Sequence, residues 1–140
     1  MKKTIGITSA LALGAAIAAL VLAADSAEKA AKESAQKWLA LVDAQKYGQS
    51  WTEAAQYFKQ AVSQSQWESA VRAVRGPLGK LQSRDLQSAS YQRSLPGAPD
   101  GEYVVIQYAT SFENKKSATE TITPMKDKDG VWRVSGYFIK

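Results

Sequence analysis

The sequence contains no histidine and no cysteine. Without them the chain cannot build a Ser-His-Asp or Cys-His nucleophile system, or any of the common zinc sites. The absence of cysteine also excludes disulfide bonds and lipid attachment to an N-terminal cysteine. We therefore expect neither a metal nor a cofactor, and a folded state that depends on packing alone.

The sequence also lacks long runs of charged residues of one sign. The net charge is +5, and no basic run is longer than the pair Lys115-Lys116. A nucleic-acid interface needs basic residues clustered on one face. The scattered charges therefore indicate a solvated surface and no nucleic-acid partner.

Residues 1–24 have the three-part plan of a secretory signal peptide. Lys2 and Lys3 precede an uncharged run at 5–22, and the small residues Ala23 and Ala24 follow it. This pattern predicts cleavage after Ala23 or Ala24, and a periplasmic or secreted protein. The alternative is an uncleaved anchor, since the run approaches the length of a short membrane span. Residues 25–140 then form a single domain.

Three amphipathic helices are predicted in the first half of the domain. Each begins at a capping residue with glutamate about three positions later, at Asp25 or Ser26, Ser50, and Ser65. The first ends near Lys46, with Gly48 as breaker, and the third ends at Gly76-Pro77. Each helix carries one tryptophan on its apolar stripe, and these are Trp38, Trp51 and Trp67.

Four strands are predicted after Gly79, in the ranges 81–95, 102–112, 117–125 and 131–139, with turns at 96–101 and 126–130. Such short connections imply an antiparallel meander. Alternation places Val104, Ile106, Tyr108 and Phe112 towards the helices, together with Trp132, Val134, Gly136 and Phe138, and turns Arg133, Ser135 and Tyr137 outward. The fold class is therefore α+β, with three helices packed on a four-stranded antiparallel sheet.

Several strings resemble a known family. They are Trp-Leu-Ala-Leu-Val-Asp at 38–43, Arg-Gly-Pro-Leu-Gly at 75–79, Pro-Gly-Ala-Pro-Asp-Gly at 96–101 and Asp-Gly-Val-Trp-Arg-Val-Ser-Gly-Tyr at 129–137. The mature chain resembles the bacterial domain-of-unknown-function family numbered 4019. That resemblance implies a small exported bacterial protein without an established activity. The element order is also similar to the nuclear transport factor 2-like, or cystatin-like, architecture, in which helices fill the hollow of a curved sheet. Fold alone does not supply function.

Glu120 is the carboxylate that we consider first for a catalytic or binding role. It lies an even number of residues from Ala118 and Ile122 on the same strand, so its side chain should point inward with theirs. A buried carboxylate needs a partner, and we expect Arg72 or Arg75 to supply one. Asp127 and Asp129 resemble the start of a calcium loop but lack its later ligands, so an Asp-Gly hairpin turn is the better interpretation.

The residues predicted to line a ligand site in the hollow are Trp67, Arg75, Tyr108, Glu120 and Trp132. Two functions follow. The favoured one is a non-catalytic periplasmic module that binds a small ligand there, or docks another envelope protein through the outer sheet face. The alternative is a small hydrolase or isomerase that uses Glu120 or another carboxylate. Oligomeric state stays open.

Overall fold

The computed structural model describes residues 9–140, with side chains from residue 14 onward. Four helices precede four strands: α1 Ser9–Asp43, α2 Tyr47–Thr52, α3 Gln56–Ala61, α4 Gln64–Leu78, β1 Leu81–Gln92, β2 Tyr103–Phe112, β3 Lys115–Lys126 and β4 Trp132–Ile139. The strands form one antiparallel sheet in the order β1-β2-β3-β4. The α+β class and the meander are therefore confirmed, with four helices instead of three.

The helix α1 is continuous across the predicted signal boundary. The predicted start at Asp25 or Ser26 is not observed, because the helix already begins at Ser9. Residues 14–23 are exposed, whereas Ala27, Ala31 and Ala35 are buried on the sheet side. No helix within residues 9–140 has a stretch long and apolar enough to cross a membrane. Residues 1–8, the first third of the predicted signal, lie outside the described residues.

The second predicted helix is divided in two, and Ser50 is not its cap. Ser50 is completely buried within α2, where its hydroxyl donates to the carbonyl of Tyr47 and accepts from the indole of Trp67. Its carbonyl oxygen accepts a hydrogen bond from the indole of Trp38. Ser50 therefore satisfies two buried tryptophan N–H groups, a requirement that the local capping pattern does not reveal.

The helix α4 begins and ends elsewhere than predicted. Its N-cap is Ser63, which forms a reciprocal capping box with Gln66, so the predicted start at Ser65 is wrong by two residues. Pro77 lies inside the last turn and does not end the helix at Gly76. The end is at Gly79, which has a φ of 75°. Asn114, in the turn between β2 and β3, donates to the carbonyls of Pro77 and Leu78 and satisfies that helix terminus.

The core lies between the helices and the inner face of the sheet. Val104, Ile106, Tyr108 and Phe112 are buried as the alternation of β2 predicts. Trp38 and Trp67 pack with their ring centres 5.6 Å apart, and Phe58 meets Trp67 edge-on at 5.0 Å. The aromatic side chains of the helices thus pack against one another in the core, above the inner face of the sheet.

The end of α1 is formed by a left-handed residue that is not glycine. The N–H groups of Gln45 and Lys46 bond to the carbonyls of Val42 and Leu41, the pattern of a Schellman motif. Gln45 occupies its left-handed position with a φ of 60°. This motif ends the helix at Asp43, three residues before the predicted end.

Replacing Gln45 by glycine should stabilise the protein, because glycine adopts a positive φ without the steric cost that glutamine bears. We expect Gln45→Gly to raise the free energy of unfolding by about 0.5–1 kcal/mol, measured by urea denaturation. Gln36→Gly, at an exposed glutamine inside α1, is the matched control and should lower it by about 0.5–1 kcal/mol. Equal destabilisation by both substitutions would contradict this account of the helix end.

Candidate functional site

Glu120 is a carboxylate at the centre of the fold. It lies on the central strand β3, opposite Tyr108 on β2 and Ile139 on β4, and its side chain is completely buried. The inward orientation predicted from its parity is confirmed. A buried charge is costly unless it is paired and hydrogen-bonded.

Both oxygens of the Glu120 carboxylate are occupied by donors. Oε1 accepts from Arg84 Nε at 2.6 Å and from the Thr110 hydroxyl at 2.6 Å. Oε2 accepts from Arg84 Nη2 at 3.2 Å and from the Tyr137 hydroxyl. Arg84 therefore engages the carboxylate through two nitrogens, the geometry in which an arginine–carboxylate pair is strongest.

Arg84 also connects Glu120 to a second carboxylate. Its Nη1 and Nη2 donate to the two oxygens of Asp43 at 2.8 and 3.0 Å. Arg75 Nη2 donates to Asp43 Oδ1 at 2.9 Å. Two arginines thus balance two carboxylates, and we call these four residues, Asp43, Arg75, Arg84 and Glu120, the buried charge cluster.

Each member of the cluster comes from a different element. Asp43 is the last residue of α1, Arg75 lies in the last turn of α4, Arg84 is on β1 and Glu120 is on β3. A carboxylate at a helix C-terminus is disfavoured by the helix dipole. The two guanidinium groups offset that cost for Asp43, so the end of α1 depends on its partners on α4 and β1.

Two bulges in β1 bring Arg84 to the inner face. The register with β2 shifts between Leu81 and Ser83 and again between Leu86 and Ser88. Arg84 then lies opposite Thr110, whose own side chain contacts Glu120. A bulge adds one residue to a strand and reverses the side to which later residues point.

The predicted partner of Glu120 is wrong, because Arg84 and not Arg72 or Arg75 binds it. The Arg72 guanidinium instead lies over the ring of Tyr47, 5.6 Å from its centre. Arg75 reaches the cluster only through Asp43 and stacks 4.8 Å from the ring centre of Phe112. Nε and Nη1 of Arg75 have no hydrogen-bond partner among the described residues.

A further bulge reverses the second half of β4. Pro124 pairs with Val134 and Thr123 with Gly136, so Ser135 is the additional residue. Pro124 has no N–H to donate, and a bulge is where proline is tolerated within a sheet. As a result Tyr137 points inward to Glu120, and Phe138 is 51% exposed. The predicted outward orientation of Tyr137 and inward orientation of Phe138 are therefore wrong.

The pKa values of the cluster follow from burial and from the paired charges. Burial acts to raise the pKa of Asp43, but the hydrogen bonds and charges of Arg84 and Arg75 outweigh it and lower that pKa below its usual 3.8. Burial raises the pKa of the Tyr137 phenol, and the negative charge of Glu120 raises it further. Tyr137 therefore keeps its proton and donates a hydrogen bond to Glu120 over the whole physiological pH range.

Four of the five predicted ligand-site residues lie around this cluster, inside the core. Tyr108 is opposite Glu120, and Arg75 is joined to it through Asp43 and Arg84. Trp67 contacts Trp38, which meets the ring of Tyr137 with centres 5.3 Å apart. All four are at most 8% exposed. Trp132 lies apart from them, and the ligand-binding role of the five residues stays a prediction.

Three surface clefts are formed elsewhere. One of about 690 Å³ lies between α3, the 96–101 loop and the β3–β4 turn, and one of about 790 Å³ lies between Arg93 and Lys128. A smaller cleft of about 330 Å³ is lined by Trp38 and Trp132. Among the predicted ligand-site residues, only Trp132 borders any of these three clefts.

The 126–130 turn is held by an arginine. Arg133 donates to Asp127 and Asp129 at 2.9 Å each, and Gly130 has a φ of 83°. Hydrogen bonds from Arg133 and from the Val131 backbone lower the pKa of Asp129 to about 2. The predicted Asp-Gly turn is confirmed, and its two carboxylates are ion-paired with Arg133.

The fold and the cluster together define a small α+β protein whose interior contains ion pairs between two arginines and two carboxylates. A family model described as "Protein of unknown function (DUF4019)" matches residues 34–137, and the chain belongs to that family. The matched range contains the whole buried charge cluster. No curated protein matches the sequence.

Replacing Glu120 by glutamine tests whether the cluster stabilises the fold. We expect Glu120→Gln to lower the free energy of unfolding by about 3–5 kcal/mol, because Arg84 loses one of its two buried counter-charges. The control is Glu33→Gln, at an exposed glutamate of α1, which should change it by less than about 0.5 kcal/mol. Denaturant titrations monitored by tryptophan fluorescence measure both, and similar values for the two variants would contradict the proposed role of Glu120.

Proposed function

We propose that this protein is an exported, non-catalytic docking module that binds another protein chain through the outer face of its sheet. The observation that carries this proposal is the saturation of Glu120, whose two oxygens accept hydrogen bonds from Arg84, Thr110 and Tyr137. A general acid or base must reach a substrate proton directly or through one water. The alternative hydrolase or isomerase that uses Glu120 is not favoured by this geometry.

The packing of the hollow favours docking over the binding of a small ligand there. Trp67, Tyr108 and Glu120 are among the buried residues, and Trp38, Phe58 and Trp67 pack against one another above the sheet. Ligand sites are normally concave and already formed. A ligand in the hollow would have to displace these side chains.

The outer face of the sheet has the composition of an interface. Cross-strand registers place small, polar and apolar residues together on it, with no charge at its centre: Ser88, Ser90, Val105, Gln107, Ala109, Thr119, Thr121, Thr123 and Phe138. Depletion of charge at the centre of a patch is typical of protein–protein interfaces. Most of these residues are exposed, whereas Thr121 is buried and the 96–101 loop covers Tyr103 at one end of the face. The exposed part of the outer face is the surface that we propose for a partner.

Export is supported by the way burial is distributed along α1. Ile17, Leu20, Val21 and Leu22 are between 55% and 68% exposed, and stable packing begins only at Ala27. Residues 14–23 therefore contribute no core contact, as is expected of a sequence that is removed. We propose a bacterial, periplasmic or secreted location on this basis, together with the charge pattern of residues 1–24.

Cleavage can be tested in the native host by intact-mass analysis of the fractionated protein. We expect the extracytoplasmic fraction to contain a chain that begins at Ala24 or Asp25. Replacement of Ala23 and Ala24 by bulky residues should leave the precursor uncut, because signal peptidase needs small residues before the cleavage site. A full-length chain in the membrane fraction would support the anchor, and one in the cytoplasm would contradict export.

Docking can be tested by placing a photo-crosslinking amino acid on the outer face, at Gln107 or Ala109. We expect both positions to give discrete adducts in the native host. Gln36, an exposed glutamine on α1, is the control and should give none of the same bands. Failure of both face positions to crosslink, or identical bands from the control, would contradict the proposed docking surface.

A further inference from the structure

The outer face carries opposite charges at its two edges. In one cross-strand row, Asp85 of β1 lies beside Ala109 of β2, which lies beside Thr119 of β3. The row ends at Lys140, which exchanges two backbone hydrogen bonds of 2.9 Å with Thr119. Neither Asp85 nor Lys140 forms an ion pair within residues 9–140. The row therefore carries a carboxylate at the β1 edge, no charged side chain in the middle and an ammonium group at the β4 edge, where Lys140 Nζ lies 6.0 Å from the ring centre of Phe138.

We propose that the outer face binds a second copy of this chain, in a dimer whose two-fold axis runs between the sheets and parallel to the strands. This inference rests on the proposed docking role of the face and names its partner. A rotation about that axis exchanges the β1 and β4 edges. Asp85 of each copy then faces Lys140 of the other, so one surface is complementary to itself, as a two-fold interface requires.

The same two-fold rotation places the exposed side chain of Phe138 against the second copy. Ser88, Gln107, Thr121 and Phe138 form the adjoining row of the outer face. In the dimer, Phe138 lies against Ser88 of the second copy, and Gln107 lies against Thr121. A large side chain is thus opposed by a small one at both edges, which allows the two faces to approach closely.

The dimensions of the face are sufficient for a stable dimer. Four strands spaced by about 4.8 Å, and the ten residues of β2 at about 3.4 Å each, give a surface of about 650 Å². Two copies would bury about 1,300 Å², within the range of specific interfaces. Packed sheets are rotated by about 30° relative to each other, which moves the row ends by only a few ångströms, within reach of a lysine side chain.

Two charge-reversal variants of the protein, studied separately and as a mixture, test this arrangement. Asp85→Lys alone and Lys140→Glu alone should each weaken self-association about a hundredfold, because every dimer contains two copies of the altered contact. An equimolar mixture of the two variants should recover a heterodimer. In that heterodimer the lysine introduced at position 85 faces the glutamate introduced at position 140, and the unchanged Lys140 of the first variant faces the unchanged Asp85 of the second. Light scattering over a concentration series measures the mass, and Glu33→Lys on α1 is the control that should dimerise as the wild type does.

The inference is overturned if the wild-type chain is monomeric throughout, if either single variant dimerises normally, or if the mixture stays monomeric. Both charges are exposed, so the variants should unfold at the wild-type denaturant midpoint at concentrations at which all of the chains are monomeric. The photo-crosslinks from Gln107 and Ala109 separate the two proposals. Adducts of twice the chain mass support the dimer, adducts with a different protein alone retain docking and overturn self-association, and no adduct overturns both.

Discussion

The bidentate pairing of Arg84 with Glu120 is the interaction on which the rest of the fold depends. It places a completely buried carboxylate on the central strand and matches it with a guanidinium from the edge of the sheet. Through Asp43 the same guanidinium reaches the end of α1 and, beyond it, Arg75 on α4. Removing any member leaves a buried charge uncompensated, whereas the complete set is neutral. The cluster therefore makes the helix layer and the sheet depend on each other.

The same arrangement leaves neither oxygen of Glu120 without a hydrogen-bond donor. A catalytic carboxylate needs a free oxygen facing a substrate, and Glu120 has donors on both of its oxygens. The surrounding volume is filled by Trp38, Trp67 and Phe58. The proposed docking surface lies on the outer face of the sheet, whose central positions carry no charged residue.

Much of the architecture could be predicted from periodicity, because alternation in β2 and the apolar stripe of α1 are local patterns. The differences in side-chain orientation within the strands arise from single inserted residues. Ser135 reverses the second half of β4 and brings Tyr137 inward, and the bulges in β1 do the same for Arg84. A glycine inside a strand, such as Gly136, is a recognised sign of a bulge and could have indicated the first. Nothing local identifies Asp43 as the shared partner of two arginines, since those contacts span 32 and 41 residues.

The separation of the cluster along the chain also has a consequence for synthesis. A chain made from its N-terminus forms α1 to α4 well before β3, yet Asp43 cannot gain Arg84 until residue 84 emerges, and Arg84 cannot gain Glu120 until residue 120 does. Contacts this distant in sequence slow the search for the native state. Until residue 120 has emerged, the buried charge cluster is incomplete, and the end of α1 lacks its connection through Arg84 to β3.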